Sequence, residues 1–220
     1  MVRAMASSTV HVHRLSRRRP QARGLETRKR LLLAAEQRFG AKGYEATSMN
    51  EIADAAHVGI GTLYHHFPDK RALLLALIDD WGDRELARDR RADFFERYLG
   101  DDPRAAIHAD LGRRAEGLRR DGGFQLALMQ LADRDYDVRA RLDRIFQVRR
   151  ERLRDLVAFG QKRGVFRREL DPLAAAFLIQ NAINVTATEV FVHQHREVTP
   201  SVMLEALTDM ICRYVLEDPA

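Results

Sequence analysis

The chain has 220 residues, of which 45% are hydrophobic, enough to bury one large or two small cores. Its formal charge of +5 is unevenly placed: residues 1–23 carry six arginines and no acid, residues 24–80 seven basic and eight acidic side chains, and residues 81–220 24 of each. That distribution excludes a uniformly cationic protein held to an anionic partner by charge alone. The lone Cys212 excludes an intramolecular disulfide and fits a reducing compartment.

Residues 1–24 lack the apolar core of a secretory leader, so they read as a basic, disordered tail on a cytoplasmic protein. The tail carries Arg3, Arg14, Arg17, Arg18, Arg19 and Arg23. A first helix is predicted from about Thr27 to Lys42, with Leu31, Ala35 and Phe39 one turn apart facing inward and Gly43 as its left-handed stop. Ser48 opens a second helix, because its hydroxyl can accept from the amide three residues on while Glu51 reaches back. After Ala56 comes a three-residue break, His57-Val58-Gly59, and then a short helix over Ile60–Phe67 that Pro68 ends. Asp69 caps the next helix, which carries Leu73, Leu74, Leu77 and Ile78 to Trp81 or beyond.

Two short helices joined by a three-residue turn are the geometry in which the second helix can enter a DNA major groove. The contents sharpen this. Leu63 and Phe67 need a small core with Ile52, Ala55 and Val58, because so short a helix is not stable alone. Gly61, Thr62, Tyr64, His65 and His66 then point outward, where a bland surface helix would carry Glu and Lys. Lys70 and Arg71 sit in the first turn of the next helix, where they oppose the helix dipole unless a phosphate shares the site.

A long ordered series in this segment resembles the TetR family of bacterial transcription regulators. It comprises Thr27-Arg28, Ala34-Ala35-Glu36-Gln37-Arg38-Phe39, Lys42-Gly43-Tyr44, Thr47-Ser48-Met49, Glu51-Ile52-Ala53, Ala56, Val58, the run from Gly61 through Thr62, Leu63, Tyr64, His65, His66, Phe67, Pro68 and Asp69 to Lys70, and Leu73-Leu74. The resemblance implies that Thr47 or Ser48, Thr62, Tyr64 and Lys70 contact phosphates and that Gly61, Tyr64 and His65 face bases. Three positions depart from the family pattern. His57 stands where the family turns on glycine, Gly59 replaces the usual hydroxyl cap, and Ile60 replaces a residue that is often polar, leaving it a thymine methyl as its base partner.

Downstream, Gly100, Asp102-Pro103, Asp121-Gly122-Gly123, Gly160, Gly164, Asp171-Pro172 and Thr199-Pro200 divide the chain into five or six more helices. The whole is predicted to be all-α: an N-terminal helix-turn-helix three-helix domain over 25–70 and a helical bundle over 71–220, with about nine or ten helices in all. The helix from Pro172 to about His193 is apolar on several sides, as is the one carrying Met203, Leu207, Met210, Ile211 and Tyr214. Gln180, Asn181 and Asn184 in the first of these argue against a membrane span. Two such helices meeting their twins predict a homodimer through Phe177, Asn181, Asn184, Phe191, Met203, Leu207, Met210 and Tyr214, an arrangement the family resemblance also implies.

The family places a ligand cavity between about Trp81 and Gly164. Candidate lining residues are Phe94, Phe95, Tyr98, Phe124, Met129, Gln130, Phe159 and Gln180, the amides because buried amides need partners. His193 and His195, or His11 and His13, do not have the spacing of a shared metal site, and no glycine-rich phosphate loop or nucleophile-base pair is visible. The sequence therefore predicts no metal, no cofactor and no enzymatic activity. It predicts a ligand-responsive regulator that binds a double-stranded, palindromic DNA operator as a homodimer, a repressor released by a small-molecule effector. The alternative is a ligand-independent architectural DNA-binding protein.

Overall fold

The structure is a computed structural model that describes residues 9–87, 94–192 and 197–217. Nine α-helices and one π-helical turn are assigned among these residues. They are α1 (Thr9–Lys42), α2 (Met49–Ala55), α3 (Ile60–His66), α4 (Lys70–Ala87), α5 (Phe94–Tyr98), α6 (Pro103–Ala132), α7 (Tyr136–Arg163), α8 (Pro172–Ala187), the π turn Thr188–Val192 and α9 (Pro200–Val215). The fold is all-α, and the single β contact among the described residues is a bridge between Phe166 and Leu216.

The short helices begin and end where side-chain chemistry says they should. Ser48 accepts from the Glu51 amide at 3.2 Å, and the Ser48 amide donates to Glu51 Oε2 at 2.9 Å, closing the capping box. Asp69, Asp102, Asp135, Asp171 and Thr199 each accept from a first-turn amide of the helix that follows. Gly43 (φ 82°) and Gly164 (φ 73°) end α1 and α7 in the left-handed region.

Two expectations of the sequence are corrected. The first concerns the tail: α1 runs back to Thr9, through residues expected to be disordered. Arg, Leu, Gln and Ala are strong helix formers, and Pro20 removes only one amide from the ladder. The second concerns Asp121-Gly122-Gly123, which was expected to break the chain but lies inside the 30-residue α6. The glycine there serves approach rather than turning. A Cβ on Gly123 would sit 2.4 Å from the Gly40 carbonyl oxygen of α1, so the two backbones touch where they cross.

Two apolar cores follow. One joins α1–α4 to the near halves of α6 and α7 through Leu31, Phe39, Ile52, Leu63, Leu77, Trp81, Phe124 and Val138. The other holds α5 and the far end of the bundle through Phe94, Tyr98, Ile107, Leu156, Phe166, Ile179 and Ile211. Trp81 meets Phe124 edge to face at a centroid distance of 6.5 Å, so α4 and α6 are locked together beside the α1 crossing. No helix among the described residues is long and apolar enough to cross a membrane.

Candidate nucleic-acid interface and cavity

α3 has only seven residues, and its hold on the protein is its inner face. Leu63 is fully buried and Phe67 nearly so, packed with Ile52 and Ala53 of the preceding helix and with Ala56, which caps it. The guanidinium of Arg28 lies 5.4 Å above the Phe67 ring, covering it from α1. The turn into α3 requires a positive φ, and His57 supplies it at 54°, where glycine would be free of strain. Gly59 caps α3 with no side-chain bond, its carbonyl accepting from the Thr62 and Leu63 amides.

With Leu63 inward, helical geometry turns Ile60, Gly61, Thr62, Tyr64 and His65 to solvent, and all five are exposed. Tyr64 keeps half of its surface in water. His66 is half-buried, and burial first, then the neighbouring His65 and Arg28, pushes its pKa below the ordinary imidazole value. It therefore stays neutral near pH 7. Ser48 is exposed at the start of α2, beside this face.

Thr47 and Lys70 stand differently from the expectation that they meet phosphates. Thr47 is buried, and its hydroxyl donates to the Gly43 carbonyl at 2.8 Å and the Arg38 carbonyl at 3.2 Å, so it has no surface to offer. The Lys70 ammonium donates to the carbonyls of Tyr44, Glu45 and Thr47 at 3.0, 3.2 and 3.1 Å, and it stands 4.5 Å above the Tyr44 ring. An ammonium has three donors, and all three are engaged. Lys70 thus clamps the α1–α2 loop against α4. Carbonyls of the α1–α2 loop are what attract it, a feature that spacing in sequence does not reveal.

α4 connects this face to the bundle through a series of ion pairs. Arg71 reaches Asp135 and, at 2.5 Å, Asp137 at the start of α7. Arg141 of α7 meets Asp79 at 3.1 Å, and Arg149 pairs with Glu85 while both are largely buried. Arg84 reaches back to Glu36 of α1 at 2.8 Å. The last of the α7 arginines in this series, Arg149, also lines a cavity in the second core.

That cavity, about 60 Å³, lies between α5, α6, α7, α8 and α9. Of the residues expected to line it, Phe94, Tyr98 and Gln180 do. The others are placed elsewhere. Phe124 is in the core against Trp81, Met129 and Gln130 are exposed on α6, and Phe95 and Phe159 stack on each other at 5.5 Å outside the cavity. Aromatic residues at helical spacing mark an apolar face, and which face it is depends on packing that the pattern does not contain.

The sequence reading missed the charged lining: Asp110 and Arg114 of α6, and Arg149 and Arg152 of α7. The signal was present in α7, where Arg149, Arg152, Leu153 and Leu156 share one face by their spacing. Arg114 Nε donates to Asp110 Oδ2 at 2.9 Å and Arg113 donates to Oδ1 at 3.1 Å. Burial alone would raise the Asp110 pKa, but the charge and hydrogen bond of Arg114, with bonds from Tyr98 and Arg113, hold it below the usual carboxylate value. Burial and the Asp110 carboxylate push the Tyr98 hydroxyl well above the phenol range, so it remains a neutral donor.

The outer face of the last two helices is open. Leu173, Phe177, Leu178 and Val185 of α8 and Val202 and Met210 of α9 each expose 48% or more of their surface, too much apolar area for single scattered residues. Of the expected interface residues, Phe177, Asn181 and Met210 are exposed, while Met203 and Tyr214 are half-buried. Leu207 is corrected: it is buried in the chain's own core beside Ile211 and has no surface for a partner. Asn184 faces the cavity. The side chain of Phe191 lies outside the described residues.

A family model described as bacterial regulatory proteins, tetR family, matches residues 31–77, the stretch from the inner face of α1 through α3 into α4. Residues 31–77 thus carry a TetR-family segment. The HTH-type transcriptional regulator UidR of Escherichia coli (strain K12) is 36% identical to this chain over 98 residues, which cover 43% of this chain and 50% of UidR. The chain thus spans about half the length of that curated relative. Among solved structures, a Saccharomonospora viridis chain in complex with choline superposes with a TM-score of 0.73 at 24% identity, covering 87% of this chain and 98% of the other. Salmonella enterica GusR superposes with a TM-score of 0.68, also at 24% identity, covering 86% and 95%. At that identity the likeness carries the fold, an N-terminal helix-turn-helix with a helical domain behind it.

Proposed function

We propose that this chain is a homodimeric transcriptional repressor of the TetR family that reads a palindromic, double-stranded DNA operator with α3 and releases it when a small molecule enters the cavity between α5 and α9. The observation that carries the proposal is the division of α3: Leu63 and Phe67 hold it from beneath, while Ile60, Gly61, Thr62, Tyr64 and His65 stand in solvent on a helix small enough to enter a major groove. Thr62, Tyr64 and Ser48 supply hydroxyls for phosphates, Gly61 and His65 face base edges, and Ile60 meets a thymine methyl. Thr47 and Lys70 act from behind by fixing the loop that presents Ser48. The family match over residues 31–77 supports the DNA-binding part.

The open apolar face of α8 and α9 supports a two-fold dimer, which would present α3 twice and require an inverted repeat. In this division residues 25–70 form the reader and 71–220 the effector and dimer domain. Choline bound in the similar Saccharomonospora viridis structure supports an effector role for the bundle. The route to α4 is the Glu85–Arg149 pair, since Arg149 belongs to the cavity wall and Glu85 to the helix that begins at Lys70. A ligand that binds the two positions of α4 unequally shifts the spacing of the two readers.

Selection from a pool of random duplexes tests this reading. The chain should enrich an inverted repeat, and His65→Ala should relax preference at one base pair per half-site, whereas Tyr64→Phe should weaken all sequences together. Enrichment of no sequence, with binding that depends only on duplex length, would favour the architectural alternative.

A further inference from the structure

The cavity's own chemistry specifies what kind of effector it takes, and this inference rests on the effector reading just proposed. Four charged side chains line it. Asp110 is matched by Arg114 and Arg149 by Glu85, which leaves Arg152, a half-buried guanidinium with no hydrogen bond or ion pair to any described residue. Among the described residues one positive charge is therefore uncompensated. On α8, Gln180 also lines the cavity; it is 94% buried, being 6% exposed, and its Oε1 is sealed from water with no donor among the described residues to meet it.

Each of these has a known cost. A guanidinium beside an apolar wall gains most from a planar oxyanion that takes two parallel N–H donors. A buried amide oxygen without a donor loses the solvation it had in the unfolded chain and gets nothing back until something with an O–H or N–H arrives. The remaining wall, including Phe94, Ile107, Leu111, Ile179 and Ile211, is hydrocarbon. A space of about 60 Å³ suits a slim body.

We propose that the effector is a small monoanionic acid with an apolar body and a hydrogen-bond donor, a hydroxycarboxylic acid in the simplest case, its carboxylate on Arg152 and its donor on Gln180. The cation on the wall selects against amines, and the orphan amide selects the hydroxylated acid over the plain one.

Four probes with the same six-carbon body separate these terms: hexanoate, 6-hydroxyhexanoate, hexan-1-ol and hexylamine, each titrated calorimetrically into the full chain. The expected order of affinity is 6-hydroxyhexanoate, hexanoate, hexan-1-ol, hexylamine. Arg152→Gln should weaken both acids by about tenfold or more and leave hexan-1-ol unchanged, which also certifies that the variant is folded. Gln180→Leu should erase the advantage of the hydroxylated acid. Equal binding of hexan-1-ol or hexylamine and hexanoate, or indifference of hexanoate to Arg152→Gln, overturns the assignment while leaving an effector cavity in place. Failure of all four probes to bind overturns the effector cavity itself, and the assignment with it.

Discussion

Between Ile52 and Phe67 the aliphatic and phenylalanine side chains are buried or half-buried apart from Ile60, whereas α8 alone leaves Leu173, Phe177, Leu178 and Val185 largely in water. The same contrast holds for polar groups. Lys70, Thr47 and Ser48 are each bonded to a backbone or side-chain partner, while Gln180 in the bundle has a sealed oxygen with none. The reader is finished within one chain. The bundle is not, and its unfinished features are an apolar face and a cavity with an unmet polar group, the two things that a second copy and a small molecule would complete. In the proposed function, DNA reading rests on a rigid outward face at one end and effector response on unmet demand at the other.

The sharpest way to break this comparison is to unfinish the reader. Leu63→Ala removes the side chain that seats α3 and should cost about 2–5 kcal/mol in urea unfolding, with loss of DNA binding. An undiminished operator affinity would show that α3 does not need its seat. Next comes the crossing of the two regions: a methyl on Gly123 meets the Gly40 backbone, which has no side chain that could yield, so Gly123→Ala should cost about 1–3 kcal/mol. Thermal melts with no loss for Gly123→Ala would mean that α1 and α6 separate freely.

Smaller effects sharpen the local picture of the reader. His57→Gly relieves a left-handed residue and should raise stability by up to about 1 kcal/mol, provided the turn stays as it is. Least of all is the capping box. The Lys42 ammonium, with the Ser48 amide and hydroxyl, holds the Glu51 carboxyl at about 2, below its ordinary 4.5. A depressed carboxylate stabilises the fold above its unfolded pKa and loses that contribution as it protonates. The melting-temperature difference between the parent chain and Glu51→Gln should therefore be present at pH 6 and shrink as pH falls from 4.5 towards 2. A difference that is independent of pH over that span would remove the ionic part of the cap.

The same contrast explains what the sequence made legible. Ser48 with Glu51, the His57 turn, and the outward set from Ile60 to His65 depend on neighbours within a few residues, and they stand where local spacing puts them. The Lys70 clamp was not legible because its partners are 23 to 26 residues away. Gly122-Gly123 looked like a break because the reason for glycine is a helix some eighty positions upstream. In the cavity, Gln180 was identifiable as an amide among apolar neighbours, but its companions Asp110, Arg114, Arg149 and Arg152 come from two other helices and look like ordinary surface charge in a chain with 37 basic residues. Leu207 and Leu178 carry the same side chain, and only packing decides that one is core and the other open.

The central claim is that two α3 helices are presented rigidly at the pitch of duplex DNA, and half-site spacing tests it most directly. With the selected inverted repeat as reference, a rigid dimer whose readers lie about one helical turn apart should lose two-chain binding when about 5 base pairs are inserted between half-sites, because the second half-site then faces away. Affinity and stoichiometry that ignore the insertion would mean that the two chains read independently, and the account would be contradicted.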